Sequence, residues 1–196
     1  MNQSASQSPH SNGRVVDAVI LAAGKGTRMQ SDLPKVMHEV ADRPMLHWVV
    51  DACRAAGAER IVVVIGFKGD LVRASLAGSN DIEFVEQTEQ LGTGHAVDQA
   101  RPAFTETPDH DVFVLCGDGP LIRPETLDTL LRTHRSADAD ATLATAIIED
   151  ATGYGRIVRD AEGGFSRIVE QKDATPEQLR IREVNPSYYC FRSGPL

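Results

Sequence analysis

Strand-like and helix-like stretches alternate from residue 17 to residue 148, and this alternation constrains the fold more than any other feature of the sequence. Residues 17–22 (DAVILA) form a short apolar run ending at a glycine loop, the pattern of a strand buried in a parallel sheet. Pro44 opens a helical stretch in which Met45, Val49, Val50 and Cys53 recur at helical spacing, with Gly57 as its C-terminal cap. Residues 60–65 (RIVVVI) are the clearest strand, continuous and β-branched. A short helix over 70–76, a third strand over 82–85 and a helix over 94–100 ended by Pro102 follow. A fourth strand over 111–115, a helix over 124–135 with Pro124 in its first turn and a fifth strand over 141–148 complete the series. The order predicts an α/β fold, a doubly wound and mostly parallel sheet covered by helices on both faces.

The texture changes after Gly153. Residues 155–159 and 165–169 flank Glu162-Gly163-Gly164 and predict a β-hairpin, a small lobe beside the main sheet. Residues 176–180 read as one or two helical turns, and 183–191 as a last strand-like stretch interrupted by Pro186. A chain of 196 residues suits one domain with a small lobe, here 14–196. The Ser/Asn/Gln-rich segment 1–13 has no apolar centre and is expected to lack fixed structure. It has the form of neither a signal peptide nor an anchor, and no apolar run nears the roughly 20 residues of a bilayer span. A cytoplasmic protein without a membrane partner is therefore expected. The net charge of −8 and the 5% aromatic content supply neither phosphate-neutralising charge nor stacking surface, which argues against a nucleic-acid partner. Three cysteines at long spacings, Cys53, Cys116 and Cys190, argue against a disulfide framework and a thiolate zinc site.

The glycine loop at 21–29 (LAAGKGTRM), with Leu33-Pro34-Lys35 close behind, sits directly after the first strand, where open α/β sheets bind ligands. Glycines let backbone N–H groups approach phosphate oxygens, and Lys25, Arg28 and Lys35 add cations suited to a polyphosphate. The dinucleotide fingerprint is excluded because Met29 stands where its third small residue belongs, and the Gly-Lys-Ser/Thr phosphate loop is absent. A bare Gly-x-Gly would favour a plain turn with solvated charges; Thr27-Arg28 and Pro34-Lys35 favour a phosphate site. Asp118, in Cys116-Gly117-Asp118 after the fourth strand, is either a Mg²⁺ ligand shared with substrate phosphates or a turn former ahead of Gly119-Pro120.

In residues 87–94 (QTEQLGTG), the Gln87 amide can both donate to and accept from a pyrimidine edge, with Gly92 and Thr93 beside it. The same run also reads as an ordinary helix entry capped by Thr93. Residues 152–156 (TGYGR) form another glycine-rich approach, and Glu170 and Asn185 are sugar-hydroxyl partners or plain surface residues. His38, His47, His95 and His134 show no metal-ligand spacing, and Trp48 is expected to pack in its helix face.

Together these runs resemble the sugar-1-phosphate nucleotidylyltransferases. The further runs 87–96, 117–118, 152–157 and 169–174 narrow the resemblance to the uridyltransferase domains of the bacterial bifunctional N-acetylglucosamine-1-phosphate uridyltransferase/glucosamine-1-phosphate acetyltransferases. It extends from about Asp17 to Asn185. It implies a nucleotide-diphospho-sugar transferase fold and a Mg²⁺-dependent reaction of UTP with N-acetylglucosamine 1-phosphate, giving UDP-N-acetylglucosamine and pyrophosphate. By motif match, Leu21, Ala22, Ala23 and Gly24 hold the uridine, and Arg28 and Lys35 are the catalytic cations on the triphosphate. Gln87, Gly92 and Thr93 read the uracil. Cys116 and Gly117 line the nucleotide site, Asp118 is the metal ligand, and Gly155, Glu170 and Asn185 bind the sugar.

Three departures from the family pattern stand out. Gly119 replaces a bulkier apolar residue and Cys116 a common aromatic one, and 185–190 (NPSYYC) departs from Asn-Thr-Gly. The family's domain also continues past the position of Leu196 and supplies an Asn to the metal. The resemblance therefore leaves Mg²⁺ with Asp118, and implies no β-helix acetyltransferase domain and no trimer built through it, only a monomer or weak oligomer. The competing readings are a silent nucleotide-sugar-binding module and a transferase for another sugar 1-phosphate.

Overall fold

The computed structural model describes residues 13–26, 29–105 and 109–196. Apart from Gly13, the segment expected to lack structure lies outside them.

The predicted alternation builds the main sheet. Strands β1 (Val16–Leu21), β2 (Arg60–Ile65), β3 (Ile82–Glu86) and β4 (Asp111–Cys116) are mutually parallel, in the order β3-β2-β1-β4. Their side chains alternate between two apolar layers, as a two-sided strand requires. Ala18, Ile20, Ile61, Val63, Phe113 and Leu115 face one layer; Val19, Val62, Val64, Val112 and Val114 face the other.

The first layer is closed by α1 (Met45–Ala55), α2 (Gly69–Ser75) and α4 (Pro124–Ser136), through Leu46, Val49, Val72, Leu127 and Leu131. The second is closed by α3 (Thr93–Ala100) and the 3-10 turn Arg101–Phe104, through Ala96, Ala100 and Phe104. Helix α1 ends as its sequence predicts: Gly57 takes φ +91°, and its N–H reaches the Arg54 carbonyl at 3.0 Å. Trp48 is half-buried rather than a core residue. Its indole donates to the Val40 carbonyl at 3.0 Å and carries the Arg43 guanidinium over its ring.

Two expectations change. The stretch read as one strand over 141–148 is two, β5 (Ala141–Leu143) and β6 (Ala146–Ile147), in different sheets. The final stretch likewise divides into β9 (Glu183–Asn185) and β10 (Tyr188–Arg192). Pro186 has no N–H to give to a ladder, and Ser187 takes φ +64°, so the strand breaks there and re-enters the other sheet. Strand β10 pairs antiparallel to β4 and β5 to β10, extending the main sheet to β3-β2-β1-β4-β10-β5. The expected hairpin, β7 (Gly155–Arg159) with β8 (Phe165–Val169), exists, but β6 and β9 join it in a four-stranded sheet, β6-β9-β7-β8. The sequence pattern shows strand propensity; which sheet a strand joins is decided by distant partners.

All three cysteines are free thiols, and among the described residues no helix is long and apolar enough to cross a membrane.

Candidate active site

The sheet order turns between β1 and β4. From β1 the chain proceeds to β2 on one side, while β4 lies on the other, which opens a crevice beyond their carboxyl ends. Leu21 and Cys116 are paired at those ends, so the loops that follow them share one rim. Gly117 makes this approach workable. Its N–H donates to the Leu21 carbonyl at 2.9 Å, and a Cβ there would sit 3.1 Å from that oxygen and from Val36 Cγ1.

Lys35 begins a 3-10 turn, Lys35–Met37, entered from the buried Pro34. Gly26, at φ +66°, lies against its aliphatic stem; a Cβ there would come within 2.8 Å of Lys35 Cβ. Held this way, the Lys35 ammonium forms an ion pair with the Asp118 carboxylate across the crevice. The two side chains are 45% and 27% exposed, so the pair is open to an incoming ligand. Thr27 and the expected catalytic Arg28 lie outside the described residues.

A cavity of about 310 Å³ sits at this rim, near the lower end of the usual range for small-molecule sites. Leu21, Ala23 and Gly24 line one side, Lys35, Cys116 and Asp118 another, and Gln87, Gly92 and Thr93 a third. The expected nucleotide residues therefore converge, with two corrections. Ala22 is buried in the main core and does not line the cavity. Gly117 lies beneath it and acts through the close approach just described. Thr93 is not a cap: Gly92 holds the N-cap position of α3 and Thr93 is its first helical residue.

Gln87 follows β3, and its N–H continues the ladder to the Ile65 carbonyl at 2.8 Å, which fixes it at the sheet edge. Three further residues line the cavity without having been singled out from the sequence. Val36 and Ala96 supply apolar wall, and Gln90 donates Nε2 to the Ala23 carbonyl at 2.8 Å, tying the two loops together. The Gln-x-x-Gln spacing of 87–90 was the available clue to Gln90. A larger hollow of about 580 Å³ adjoins this cavity, shares Gln87 and Gln90 with it, and carries Lys25 and Lys68 on its wall. Another of about 680 Å³ lies between α4 and β5, away from the glycine loops, with Arg123 and Glu125 as its charged groups.

Burial raises the Cys116 thiol above its ordinary pKa, and the Asp118 charge adds to the effect, against a hydrogen bond from Ser187 that opposes it. Cys116 is therefore a protonated wall residue rather than a nucleophile.

The three expected sugar residues also meet. Gly155 and Asn185 are register partners across β7 and β9, and a Cβ on Gly155 would lie 3.1 Å from Glu170 Oε1. Asn185 is only 8% exposed, and both ends of its amide are engaged. Its Nδ2 donates to the Tyr189 hydroxyl at 2.6 Å, and its Oδ1 accepts from the Ser187 N–H at 3.0 Å. Ser187 also lies close enough to Cys116 to lower its pKa, so the segment 185–189 links this cluster to the cavity wall.

Known proteins are similar to this chain in sequence and in fold. The chain is 50% identical over 184 residues to the bifunctional protein GlmU of Pelobacter propionicus, and 51% identical over 179 residues to that of Geobacter metallireducens. These alignments cover 92% and 91% of this chain but 39% and 37% of the relatives, so the chain spans about two fifths of their length. Among solved structures, a UDP-glucose pyrophosphorylase complexed with UDP-glucose superposes with a TM-score of 0.74 at 19% identity, over 91% of this chain and 76% of its own. HddC from Yersinia pseudotuberculosis superposes at 0.69 with 27% identity, over 90% and 76%. The pyrophosphorylase likeness is one of fold. Residues 18–154, which run from β1 through the glycine loop, Gln87 and Asp118 to the edge of the small sheet, match the model of the MobA-like NTP transferase domain, and the chain belongs to that family.

Proposed function

We propose that this nucleotidyltransferase moves a uridylyl group from UTP to N-acetylglucosamine 1-phosphate and releases pyrophosphate. The observation that carries the reading is the Lys35–Asp118 pair at the turn of the sheet order, beside a cavity that also contains Gln87. The identity of the two substrates rests on the resemblance drawn from the sequence motifs.

The chemistry asks little covalent work of the protein. A phosphate oxygen of the sugar 1-phosphate attacks the α-phosphorus of UTP in line, the bond to the bridging oxygen breaks, and pyrophosphate departs with that electron pair. Catalysis is then positioning and charge neutralisation. Lys35 supplies an ammonium to the triphosphate, and the glycine loop at Ala23 and Gly24 brings backbone to the nucleotide. Gln87 with Gly92 and Thr93 meets the base. Glu170 and Gly155 meet the sugar hydroxyls, and Asn185, whose amide is already engaged, mainly shapes that wall. The protonated Cys116 fits a reaction with no protein nucleophile.

The residues also suit a divalent ion that arrives with the substrate. Among the described residues no three His, Cys, Asp or Glu side chains cluster, so a Mg²⁺ here would rest on Asp118 and on substrate phosphates, the sparse protein ligation this ion commonly accepts. Bound there, it would neutralise phosphate charge.

The test is pyrophosphate release from UTP and N-acetylglucosamine 1-phosphate, with and without Mg²⁺, in the unaltered chain and in Asp118→Ala. Release that requires both the ion and Asp118 is expected. A folded chain that binds UTP and releases nothing would overturn the proposal.

A further inference from the structure

Gln87 is 5% exposed, and the surroundings of its amide dictate which way round it sits. Its terminal nitrogen lies 3.2 Å from the Gly92 carbonyl oxygen and 3.1 Å from His95 Nδ1. A backbone carbonyl accepts and never donates, so the NH₂ end must face Gly92. The same NH₂ faces His95, so Nδ1 must be bare and accepting. Both amide protons of Gln87 are then engaged within the protein.

A neutral imidazole with a bare Nδ1 carries its proton on Nε2. Across from Nε2, at 3.2 Å, stands the terminal amide of Gln99, one helical turn further along α3. That amide must meet the Nε2–H with its oxygen, a half-turn about its last side-chain bond from a nitrogen-first placement. The roles are thus set in sequence: the Gly92 carbonyl fixes Gln87, Gln87 fixes the tautomer of His95, and Gln99 secures it. The result is that Oε1 is the end of the Gln87 amide not committed to Gly92 or His95, in a residue that lines the cavity.

We infer that His95 is a positioning residue that holds the Gln87 amide carbonyl-outward and so makes the site choose uracil over cytosine. Uracil offers an N–H at ring position 3, which a carbonyl accepts. Cytosine offers a lone pair at that position, which a carbonyl repels. If the amide were free to turn over, its NH₂ would suit cytosine and the choice would be lost. The inference rests on the proposed reading that a pyrimidine nucleotide enters this cavity.

Two measurements on the full chain test it. In ¹⁵N spectra of the unaltered protein near neutral pH, His95 is expected as the Nε2–H tautomer; a proton resident on Nδ1 would overturn the inference without any variant. In calorimetric titrations at fixed Mg²⁺, UTP is expected to bind at least tenfold more tightly than CTP. In His95→Phe that preference is expected to shrink about tenfold, within what one mismatched base edge costs. An unchanged preference in a folded His95→Phe overturns the inference and leaves the transfer reaction untouched. A chain whose UTP preference shrinks in His95→Phe yet which releases no pyrophosphate supports the inference and overturns the transferase proposal instead.

Discussion

The two ends of the same strands carry charge in opposite ways. At the amino ends of β1 and β4, Asp17 and Asp111 are buried and each has basic partners. Asp111, with no exposed surface, takes Arg135 at 2.6 Å and Arg14 at 3.0 Å; Asp17 takes Arg60 at 2.9 Å and His110 at 2.8 Å. At the carboxyl ends the Lys35–Asp118 pair stands half open, with glycines around it. A buried charge without its partner costs several kcal/mol, whereas an exposed ion pair contributes about 0–1 kcal/mol. The amino end therefore ties its charges into the fold, and the carboxyl end leaves them free to meet a ligand at little cost in stability.

That contrast can be broken most forcefully at Asp111. Asp111→Ala removes the carboxylate that Arg135 pairs with, leaves Arg14 only its longer contact to Asp138 at 3.7 Å, and is expected to lower unfolding stability by about 3–5 kcal/mol in denaturant titrations, with the activity of the folded fraction retained. Lys35→Ala is expected to do the reverse. Stability should stay within about 1 kcal/mol, while the proposed uridylyl transfer falls about 10²–10³-fold in steady-state assays. A Lys35→Ala chain that unfolds but keeps its rate per folded molecule would erase the distinction between the two ends.

The smallest effect is set by pH at the buried end. Burial lowers the pKa of His134, the arginines nearby (Arg14, Arg192 and Arg135) act the same way, and Asp111 opposes them. Folded His134 takes up its proton at lower pH than the unfolded chain, which does so below about pH 6.5, so in that window the unfolded state binds more protons and stability falls as pH drops. Melting temperatures at pH 7.5 and 5.5 are expected to show this loss, and His134→Gln to reduce it. An equal loss in the variant would remove His134 as its source.

Three of the parallel strands, β1, β2 and β4, were legible because each is mostly a continuous apolar or β-branched run, as in residues 60–65, whereas the edge strand β3 shows only an interrupted run, Ile82-Glu83-Phe84-Val85. The rim of the cavity was legible for a related reason: Gly26 and Gly117 mark places where backbone must approach closely, and Lys35 and Asp118 sit beside them. Partner choice was not legible. Nothing local in residues 141–148 says that the stretch divides between two sheets, because β5 answers to β10 and β6 to β9 across some forty positions of chain. Gln90 likewise finds its acceptor, the Ala23 carbonyl, far away in sequence. His95, unremarkable as an isolated histidine, acquires meaning only once Gln87 and Gln99 are placed on either side of it.

The crossing between the two sheets has a modular consequence. The chain leaves the main sheet after β5 and returns at β10, and at that crossing the Ala144 N–H donates to the Tyr188 carbonyl at 3.0 Å. The residues between them, with the whole small sheet, thus start and finish side by side, as an inserted cassette does. Such a cassette can be exchanged for another of different length without lengthening any connection in the main sheet. On the proposed function, the acceptor half could then diversify while the donor half stays constant, much as one handle takes many blades.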